Sequence, residues 1–380
     1  MKLSFHSTDV HCGLGVSLDD ALDNLRAQRI LSQPLILELK GDTFNRHYFR
    51  LAGRSDLGAY HEVCALIELQ LNRLLDVAGL SSADRRRVGL FVGSSSFSAG
   101  YSEESYRQQA QAGHENRIVL QQIGYDIMTE QLVRRLGLSD TSFCYATACT
   151  SSANAILNAQ EFIRQGVISH ALILGYELFN TTSVLGFYGL DLISKQGAML
   201  PFDVRRDGLL LGEGYASMLL SAEPLSGAVS LLGGASNTDN HSLTAANTDG
   251  SSVAAVMEMA MTACGIDADS VRGIKTHGTA SLFNDEAETA GILRLPLSSP
   301  QLFALKPYTG HTLGACGAIE TALTAGALGQ GWVPANSGFS TDDTLGVSLN
   351  QTVEHTDSGH YLLNFFAFGG NNTCLILECA

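Results

Sequence analysis

The chain has 380 residues, 45% of them hydrophobic, which is enough for two packed halves around a large core. Its 39 Gly and 7 Pro suit an α/β protein with many tight turns, and its net charge of −15 argues against nucleic acid or an anionic membrane as partner. No apolar stretch is long enough to span a bilayer and the N-terminus has no extended apolar segment, so we expect a soluble, cytoplasmic protein.

Strand and helix patterns alternate through the first part of the chain. The apolar run Val88–Val92 is typical of a buried strand, and it precedes a loop of small residues. Helical spacing of apolar residues covers about 116–136. A second strand ends just before Cys149, a helix follows to about Arg164, and Ala171–Gly175 predicts another strand.

Cys149 stands between the apolar run Phe143–Ala148 and the small-residue segment Thr150–Ile156. A thiol at a helix N-terminus is close to the positive end of the helix dipole, which favours the thiolate. Taken alone, such a cysteine is more often a small buried hydrophobe, but the small neighbours leave room for a nucleophile. The eight cysteines include no C-x-x-C pair, so the sequence predicts no metal or redox site.

A junction near Glu223–Gly227 predicts two domains, residues 1–222 and 223–380. The second half also alternates strands and helices, with a strand at Val229–Leu232, and this alternation predicts parallel sheets. Further helices are predicted at 252–264, at 284–292 and from Gly314 onward. Each half places a reactive residue where a strand gives way to a helix, which suggests a duplicated unit.

Two histidines of the second half lie beside glycines that permit tight turns, His277 in the segment Thr276–Thr279 and His311 in Thr309–Thr312. Either histidine alone could be a core or capping residue. Lys306 lies five residues before His311; a lysine on an apolar strand is usually exposed, but here it could orient catalytic groups. A cysteine with two distant histidines is what thioester chemistry needs.

Together these residues resemble the motifs of the β-ketoacyl-acyl carrier protein synthases, elongating members of the thiolase superfamily. The matching segments are Ala146–Ser151, Pro201–Asp203, Arg206–Gly208, Gly212–Gly214, His277–Thr279, Lys306 with Thr309–His311, Glu320 and Phe366–Asn371. They occur in order over nearly the whole chain. Priming synthases carry Asn in place of His311, and Cys374 and Cys379 lack the Gly-rich setting of the second catalytic cysteine of degradative thiolases.

The resemblance implies a thiolase-like α/β fold with two similar halves in α/β/α/β/α layers. It implies that Cys149 accepts an acyl group from the phosphopantetheine of an acyl carrier protein. The backbone N–H groups of Cys149 and Phe368 would form the oxyanion hole. His277 and His311 would stabilise the enolate that forms when malonyl carrier protein loses carbon dioxide, and the chain would grow by two carbons.

The resemblance also implies supporting roles. Lys306 would hold the histidine region in place, with Glu320 as its partner. Thr279 and Ser281 would contact the pantetheine arm. The implied substrate-binding residues are Ser96, Thr279, Ser281, Phe366 and Phe368. No metal or redox cofactor is implied.

Some residues depart from the family pattern. The N-terminal motif is reduced to His11–Gly15, and Ser96 replaces a larger apolar gatekeeper, which predicts a roomier or more polar acyl pocket. Asp191 falls where a carrier-docking arginine is common. The remaining candidate docking groups are Arg117, Arg205 and Arg206. An acidic carrier protein should bind such a surface weakly.

Two functions therefore stay open, with a third less supported. The first is an active condensing enzyme, which the intact cysteine, histidines and lysine favour. The second is an auxiliary subunit resembling a chain-length factor, which the poor docking surface favours. The third, a thioester hydrolase, lacks a dedicated base to activate water. The expected partners are an acyl carrier protein and, in a homodimer or heterodimer, a second ketosynthase-like subunit; acyl length and the choice between fatty acid and polyketide or polyene chains stay open.

Overall fold

The computed structural model describes residues 1–39, 41–54, 60–113, 124, 127–225, 227, 229–242 and 246–380. The strands are β1 Leu3–Cys12, β2 Gln33–Leu39, β3 Asp42–Tyr48, β4 Val88–Gly93, β5 Ser142–Tyr145, β6 His170–Glu177, β7 Gly214–Ser221, β8 Val229–Thr238, β9 Val271–Lys275, β10 Gln301–Phe303, β11 Trp332–Val333, β12 Glu354–His355, β13 Gly359–Phe366 and β14 Asn371–Cys379.

The α-helices of the described ranges are α1 Leu18–Arg26, α2 Tyr60–Val77, α3 Ser82–Arg85, α4 Ala99–Gln111, α5 Ile127–Leu136, α6 Ser151–Arg164, α7 Thr181–Gly189, α8 Ser251–Cys264, α9 Leu282–Leu293, α10 Lys306–Thr309 and α11 Cys316–Gly329. None of them combines the length and apolarity needed to cross a bilayer.

The main sheet is built from two copies of one five-strand pattern. Its strand order is β10-β9-β13-β14-β8-β1-β7-β6-β4-β5, and β1 pairs with β8 where the halves meet. Counted outward from that β1–β8 pair, the two inner pairings of each half are antiparallel and the two outer pairings are parallel. The expected pair of similar halves is thereby confirmed. The predicted boundary between 222 and 223 lies in the connection from β7 to β8 and stays a prediction.

The prediction of parallel sheets is wrong for five of the nine strand pairings in the main sheet. β14 follows β13 after the short connection around Phe368–Gly370, and so short a connection can only join antiparallel neighbours. The parallel pairs, β4 with β5 and β6 and β9 with β10 and β13, are those with helices in the crossover.

The helices occupy three layers around the two halves of the sheet. α6 and α11 contact strands of both halves and form the central layer. α2 and α5 pack on the outer face of the first half, and α8 packs on the outer face of the second. This arrangement confirms the α/β/α/β/α layering implied by the resemblance.

Small residues let the central helices approach each other closely. A Cβ on Gly317 would lie 2.3 Å from the backbone nitrogen of Ala153, so only glycine fits there. The hydroxyl of Ser152 donates to the carbonyl of Gly314 at 2.7 Å and accepts from the backbone N–H of Ala318 at 2.9 Å. This contact brings the N-terminal ends of α6 and α11 together, and both ends carry residues of the candidate site.

Most predicted elements near the site are confirmed. The structure has the strands predicted at 88–92, 171–175 and 229–232 and the helices predicted at 252–264 and 284–292, with bounds shifted by one or two residues at most helix ends. Helix α5 covers the end of the pattern at 116–136, whose residues 116–123 lie outside the described ranges. Lys306 begins α10 and does not lie on a strand.

Candidate active site

Cys149 lies in a 3₁₀ turn, residues 148–150, between β5 and α6, and only 6% of it is exposed. Ala148, just before it, has a positive φ of 51°, a costly conformation for a residue with a Cβ. The Ser151 hydroxyl holds the turn, because it donates to the Ala148 carbonyl at 2.6 Å and accepts from the Thr147 N–H at 3.0 Å. The small polar residues of the motif therefore fix the turn that presents the thiol.

His311 comes from the second half of the chain and lies directly against the thiol. Its Nε2 is 3.1 Å from Sγ of Cys149. The His311 backbone is held by the segment before β7, since its N–H donates to Leu210 at 2.7 Å and its carbonyl accepts from Gly212 at 3.1 Å. The two halves are thus joined at the point where cysteine and histidine meet.

His277 follows β9 and completes the group, with its ring centroid 5.5 Å from that of His311. Nζ of Lys306 lies 3.2 Å from Nδ1 of His277 and 2.8 Å from its carbonyl oxygen. A lysine ammonium can only donate, so Nδ1 accepts and the ring proton is on Nε2. Lys306 therefore makes Nε2 of His277 a hydrogen-bond donor.

Buried acids support this segment from behind. Glu288 of α9 accepts from the backbone N–H groups of His277 at 2.7 Å and Gly278 at 2.9 Å. Glu320 of α11 pairs with Lys306 at 2.9 Å, as the resemblance implied, and with Lys275 at 2.5 Å.

Sequence reasoning missed Lys275, Glu288 and Glu177. Lys275 and Glu320 are fully buried, and a lysine inside an apolar strand two residues before His277 was a usable signal for the first. Glu288 lies within an apolar helix, which was a weaker signal. Glu177 ends the buried strand β6, and nothing in its local sequence distinguishes it.

Burial controls the acidity of the thiol. It raises the pKa of Cys149 to about 12, while the charge of Lys306 and hydrogen bonds from the backbone N–H groups of Phe368 and Cys149 act to lower it. The sequence predicted a thiolate favoured by the helix dipole, and this was wrong for the net effect because the sulfur is removed from water. The resting group is a neutral thiol, so its attack requires a base at the sulfur.

Both histidines are neutral at physiological pH. Burial, and after it the charge of Lys306, holds the pKa of His277 and of His311 well below the usual range. A neutral imidazole can accept a proton or donate one hydrogen bond. Nε2 of His311 is placed to take the thiol proton, and Nε2 of His277 is placed to donate.

A mainly apolar cavity opens onto the thiol and both histidines. Its lining includes four of the expected substrate-binding residues, Thr279, Ser281, Phe366 and Phe368. Thr279 and Ser281 bond each other through their hydroxyls at 3.0 Å, and Phe368 stacks on Phe187 with ring centroids 5.7 Å apart.

Ser96 is not among the residues that line this cavity in the described part of the chain. Its hydroxyl donates to Glu177, and its backbone N–H donates to the same carboxylate at 2.9 Å. Glu177 also accepts from the backbone N–H groups of Ser95 and Gly314, both at 2.9 Å. Ser96 therefore helps to tie the loop after β4 to the start of the 3₁₀ turn before α11.

The expected carrier-docking groups are mostly occupied within the chain. The side chain of Arg206 is 5% exposed and pairs with Asp342 at 2.5 Å, so the expectation that it docks a carrier protein is wrong. Arg205 is half exposed and pairs with Asp203 at 2.6 Å. Asp191 pairs with Lys195 at 2.9 Å, and Arg117 lies outside the described residues.

One group in the described ranges could hold a metal ion. His6, His170 and Glu223 each place a ligand atom within 4.8 Å of the others. His170 begins β6, so this group lies at the other end of that strand from Glu177 and the active-site loops.

Comparison with known proteins identifies the family. Residues 25–224 match the model for the N-terminal domain of beta-ketoacyl synthases, and residues 228–340 match the model for the C-terminal domain. The chain therefore belongs to the β-ketoacyl synthase family of the thiolase superfamily.

Two curated relatives are named as 3-oxoacyl-[acyl-carrier-protein] synthases. The chain is 29% identical over 316 residues to 3-oxoacyl-[acyl-carrier-protein] synthase I, chloroplastic, of Arabidopsis thaliana, an overlap of 77% of this chain and 66% of the relative. It is 30% identical over 261 residues to 3-oxoacyl-[acyl-carrier-protein] synthase 2 of Vibrio cholerae, covering 64% of this chain and 63% of the relative. The chain thus spans slightly less than two thirds of the length of these relatives.

Solved structures agree on the fold. One chain of the complex between the ketosynthase ApeO and its chain length factor ApeC, from Xenorhabdus doucetiae, gives a TM-score of 0.82 at 25% identity, covering 100% of this chain and 98% of that one. A beta-ketoacyl synthase of Burkholderia phymatum gives a TM-score of 0.85 at 24% identity over 100% and 99% of the two chains.

Proposed function

We propose that the chain is a 3-oxoacyl-acyl carrier protein synthase, an acyltransferase that extends an acyl thioester by two carbons through decarboxylative condensation. The observation that carries the proposal is the 3.1 Å approach of His311 Nε2 to Cys149 Sγ inside a cavity that His277 also lines. Thiol, base and donor are the groups that the two half-reactions need.

In the first half-reaction Sγ of Cys149 attacks the thioester carbonyl carbon of an acyl carrier protein, and its proton passes to Nε2 of His311. The oxyanion that forms accepts from the backbone N–H groups of Cys149 and Phe368, the same groups that act to lower the pKa of the resting thiol. The bond to pantetheine sulfur then breaks, and the proton leaves with that thiol. Cys149 is left as a thioester.

In the second half-reaction a malonyl carrier protein occupies the same cavity. Its thioester oxygen accepts hydrogen bonds from Nε2–H of His277 and from His311 in the tautomer that carries its proton on Nε2, which stabilises the enolate as carbon dioxide leaves. His311 can adopt this tautomer in the second half-reaction because the acylated sulfur no longer presents a proton to Nε2. The enolate carbon attacks the acyl carbon on Cys149, the carbon–sulfur bond breaks, and the product remains on the carrier. The Cys149 thiolate that leaves takes up one proton from solvent, which restores the resting thiol. As proposed, the reaction draws on side chains and backbone donors alone, with no resident metal or redox cofactor.

The names of relatives support the proposed partners. Two curated relatives are named for the acyl carrier protein, and one solved neighbour is a ketosynthase in complex with its acyl-carrier protein. Other neighbours are ketosynthases paired with chain length factors. We propose a carrier protein and a second ketosynthase-like subunit, identical or different, as partners; the cytoplasmic location expected from the sequence stays a prediction.

An auxiliary role is the alternative. The pairing of Arg205 and Arg206 with acids of the same chain supports it, because these side chains are poorly placed to bind an acidic carrier. Against it, an auxiliary subunit has no need of a base 3.1 Å from a cysteine sulfur. Rapid condensation by the purified chain would exclude the auxiliary role.

Mass spectrometry of the chain after incubation with an octanoyl carrier protein tests the proposal. The intact protein should gain one octanoyl group, on the peptide that contains Cys149. Cys149→Ala should gain none, while Cys316→Ala, which changes the thiol 3.1 Å from the Cys149 carbonyl, should still be acylated. An unmodified wild-type chain, with or without a co-expressed partner, would contradict the proposal, as would unchanged labelling of Cys149→Ala.

A further inference from the structure

A second buried lysine, Lys275, belongs to the charged group behind the histidines. It lies on β9 two residues before His277 and is fully buried. Its Nζ donates to Oε2 of Glu320 at 2.5 Å and to the carbonyl of Asn364 at 2.6 Å. The ammonium also lies 3.7 Å from the ring centroid of Phe365. Burial, and after it the charge of Lys306, lowers the pKa of Lys275, whereas the carboxylate, the carbonyl and the aromatic face favour the charged form of the amine.

Glu320 is shared between two cations. Its Oε1 faces Lys306 at 2.9 Å and its Oε2 faces Lys275. One carboxylate between two ammonium groups leaves a net charge of +1 on this trio. If an apolar residue replaced Lys275, the charge of Glu320 would balance that of Lys306 and the trio would carry no net charge.

The net positive charge of this trio changes the pKa values of the reacting groups. Lys306 touches His277, and its charge lowers the pKa of Cys149 against the effect of burial. Lys275 and Lys306 both lower the pKa of His277 and His311. The charge of Lys275 also acts to lower the pKa of Glu288 on α9, Cys316 on α11 and Cys374 on β14, against the effect of burial.

We infer that Lys275 is a positioning residue: by engaging one oxygen of Glu320 it leaves the charge of Lys306 uncompensated, and the centre stays positive where negative charge develops. The negative species are the Cys149 thiolate, the oxyanion and the enolate. The catalytic consequence rests on the proposed function, whereas the effect on the thiol itself does not.

Charge-balanced variants test this inference. Lys275→Met has a similar shape and sets the trio to zero charge. The double variant Lys275→Met with Glu320→Gln keeps Lys306 as the sole charge and restores +1. Lys195→Met is the control, since it removes a lysine from an exposed ion pair with Asp191. The readout is the rate of Cys149 alkylation by iodoacetamide between pH 7 and 9, measured on its own peptide.

The expected order of the alkylation rates distinguishes an effect of charge from a structural defect. Because the thiol pKa lies far above these pH values, the rate follows the thiolate fraction, and a shift of one pKa unit changes it about tenfold. Lys275→Met should react about tenfold more slowly than the wild type, and the double variant should recover to within about threefold. Lys195→Met should match the wild type.

A purely structural role for Lys275 predicts that the second substitution adds damage, so a double variant as slow as Lys275→Met would overturn the inference. A wild-type rate in Lys275→Met would overturn it as well. Should Lys275→Met not fold, as judged by circular dichroism, Lys275→Gln replaces it in both arms with the same expected order. Failure of carrier-protein acylation would refute the proposed function while leaving this alkylation assay intact.

Discussion

His277 and His311 line one cavity but have different neighbours, and this difference predicts different defects. His311 contacts the sulfur at 3.1 Å, whereas Nδ1 of His277 contacts Lys306, which leaves Nε2–H as the donor of a ring that lines the cavity. His277→Ala should retain most acylation of Cys149, and His311→Ala only part of it. Both variants should lose about two to three orders of magnitude in decarboxylation of malonyl carrier protein, as expected for loss of an oxyanion-type donor.

Release of carbon dioxide and mass spectrometry of Cys149 measure the two steps separately. His360→Ala is a matched control, because His360 near the start of β13 is a partly buried histidine bonded to Ser270 and is not among the residues that line the cavity. It should leave both steps unchanged. Normal release of carbon dioxide by His277→Ala would show that enolate stabilisation does not need this ring.

The sequence predicted which residues form the site better than it predicted their pKa values. The motifs around Cys149, His277, His311 and Lys306 indicated residues that the fold does bring together. Burial cannot be determined from a local motif, so the sequence predicted a lowered thiol pKa where the structure raises it. The sharing of Glu320 by two lysines depends on how β9 packs against α10 and α11, which follow it about 30 and 40 residues later in the chain, and no local motif indicates that packing.

At the scale of elements, the contact between the central helices predicts a sharp difference between two glycines of α11. Gly317→Ala would press a Cβ to within 2.3 Å of the Ala153 backbone nitrogen, whereas a Cβ on Gly329 meets nothing within 4 Å. Gly317→Ala should lower the free energy of unfolding by about 1–3 kcal/mol, as overpacking usually does. Gly329→Ala should be neutral or slightly stabilising, since alanine reduces the entropy of the unfolded chain.

Urea denaturation of the two variants beside the wild type measures the difference. Gly317→Ala should also slow acylation, because the same contact positions the N-terminal ends of α6 and α11. Equal stability of the two variants would mean that α6 and α11 are less tightly packed than described.

Element type was predictable where periodicity was strong, and pairing was not. The strands before Cys149 and His277 and the helix from Ser251 to Cys264 follow directly from apolar patterns. Strand direction depends on which distant strands become neighbours, so the strand predicted at 229–232, which is part of β8, was wrongly expected in a parallel sheet. α10 is four residues long, too short for a helical pattern, so Lys306 was placed on a strand.

At the scale of the whole molecule, buried thiols predict a loss of stability in alkali. Burial raises the pKa of Cys12 to about 11 and also raises the pKa of Cys316 and Cys374. Unfolded thiols titrate near pH 8.5, so above that pH the unfolded chain releases protons that the folded chain retains. Stability from these thiols is complete below about pH 8.5 and falls as pH rises toward the folded pKa values.

Urea denaturation from pH 7.5 to 10 should show this decline, with each thiol contributing at most about 1.4 kcal/mol per pH unit. The triple variant Cys12→Ala, Cys316→Ala and Cys374→Ala should show a shallower decline, whatever its stability at pH 7.5. An unchanged slope would assign the alkaline loss to other groups.

The end of the main sheet predicts where a second subunit joins. β5 is last in the strand order, pairs with β4 on one side, and carries Phe143 with 40% of its surface exposed. An edge strand with an exposed aromatic side chain favours pairing with another chain, and a two-fold axis would let β5 meet a second β5.

We expect Phe143→Lys to convert a dimer to monomers, measured by light scattering. Leu293→Lys, at a comparably exposed apolar position on α9, should remain dimeric. If the wild type is monomeric alone and forms a dimer only with a co-expressed synthase, Phe143→Lys should block that heterodimer, and a heterodimer that tolerates the change would place the interface elsewhere.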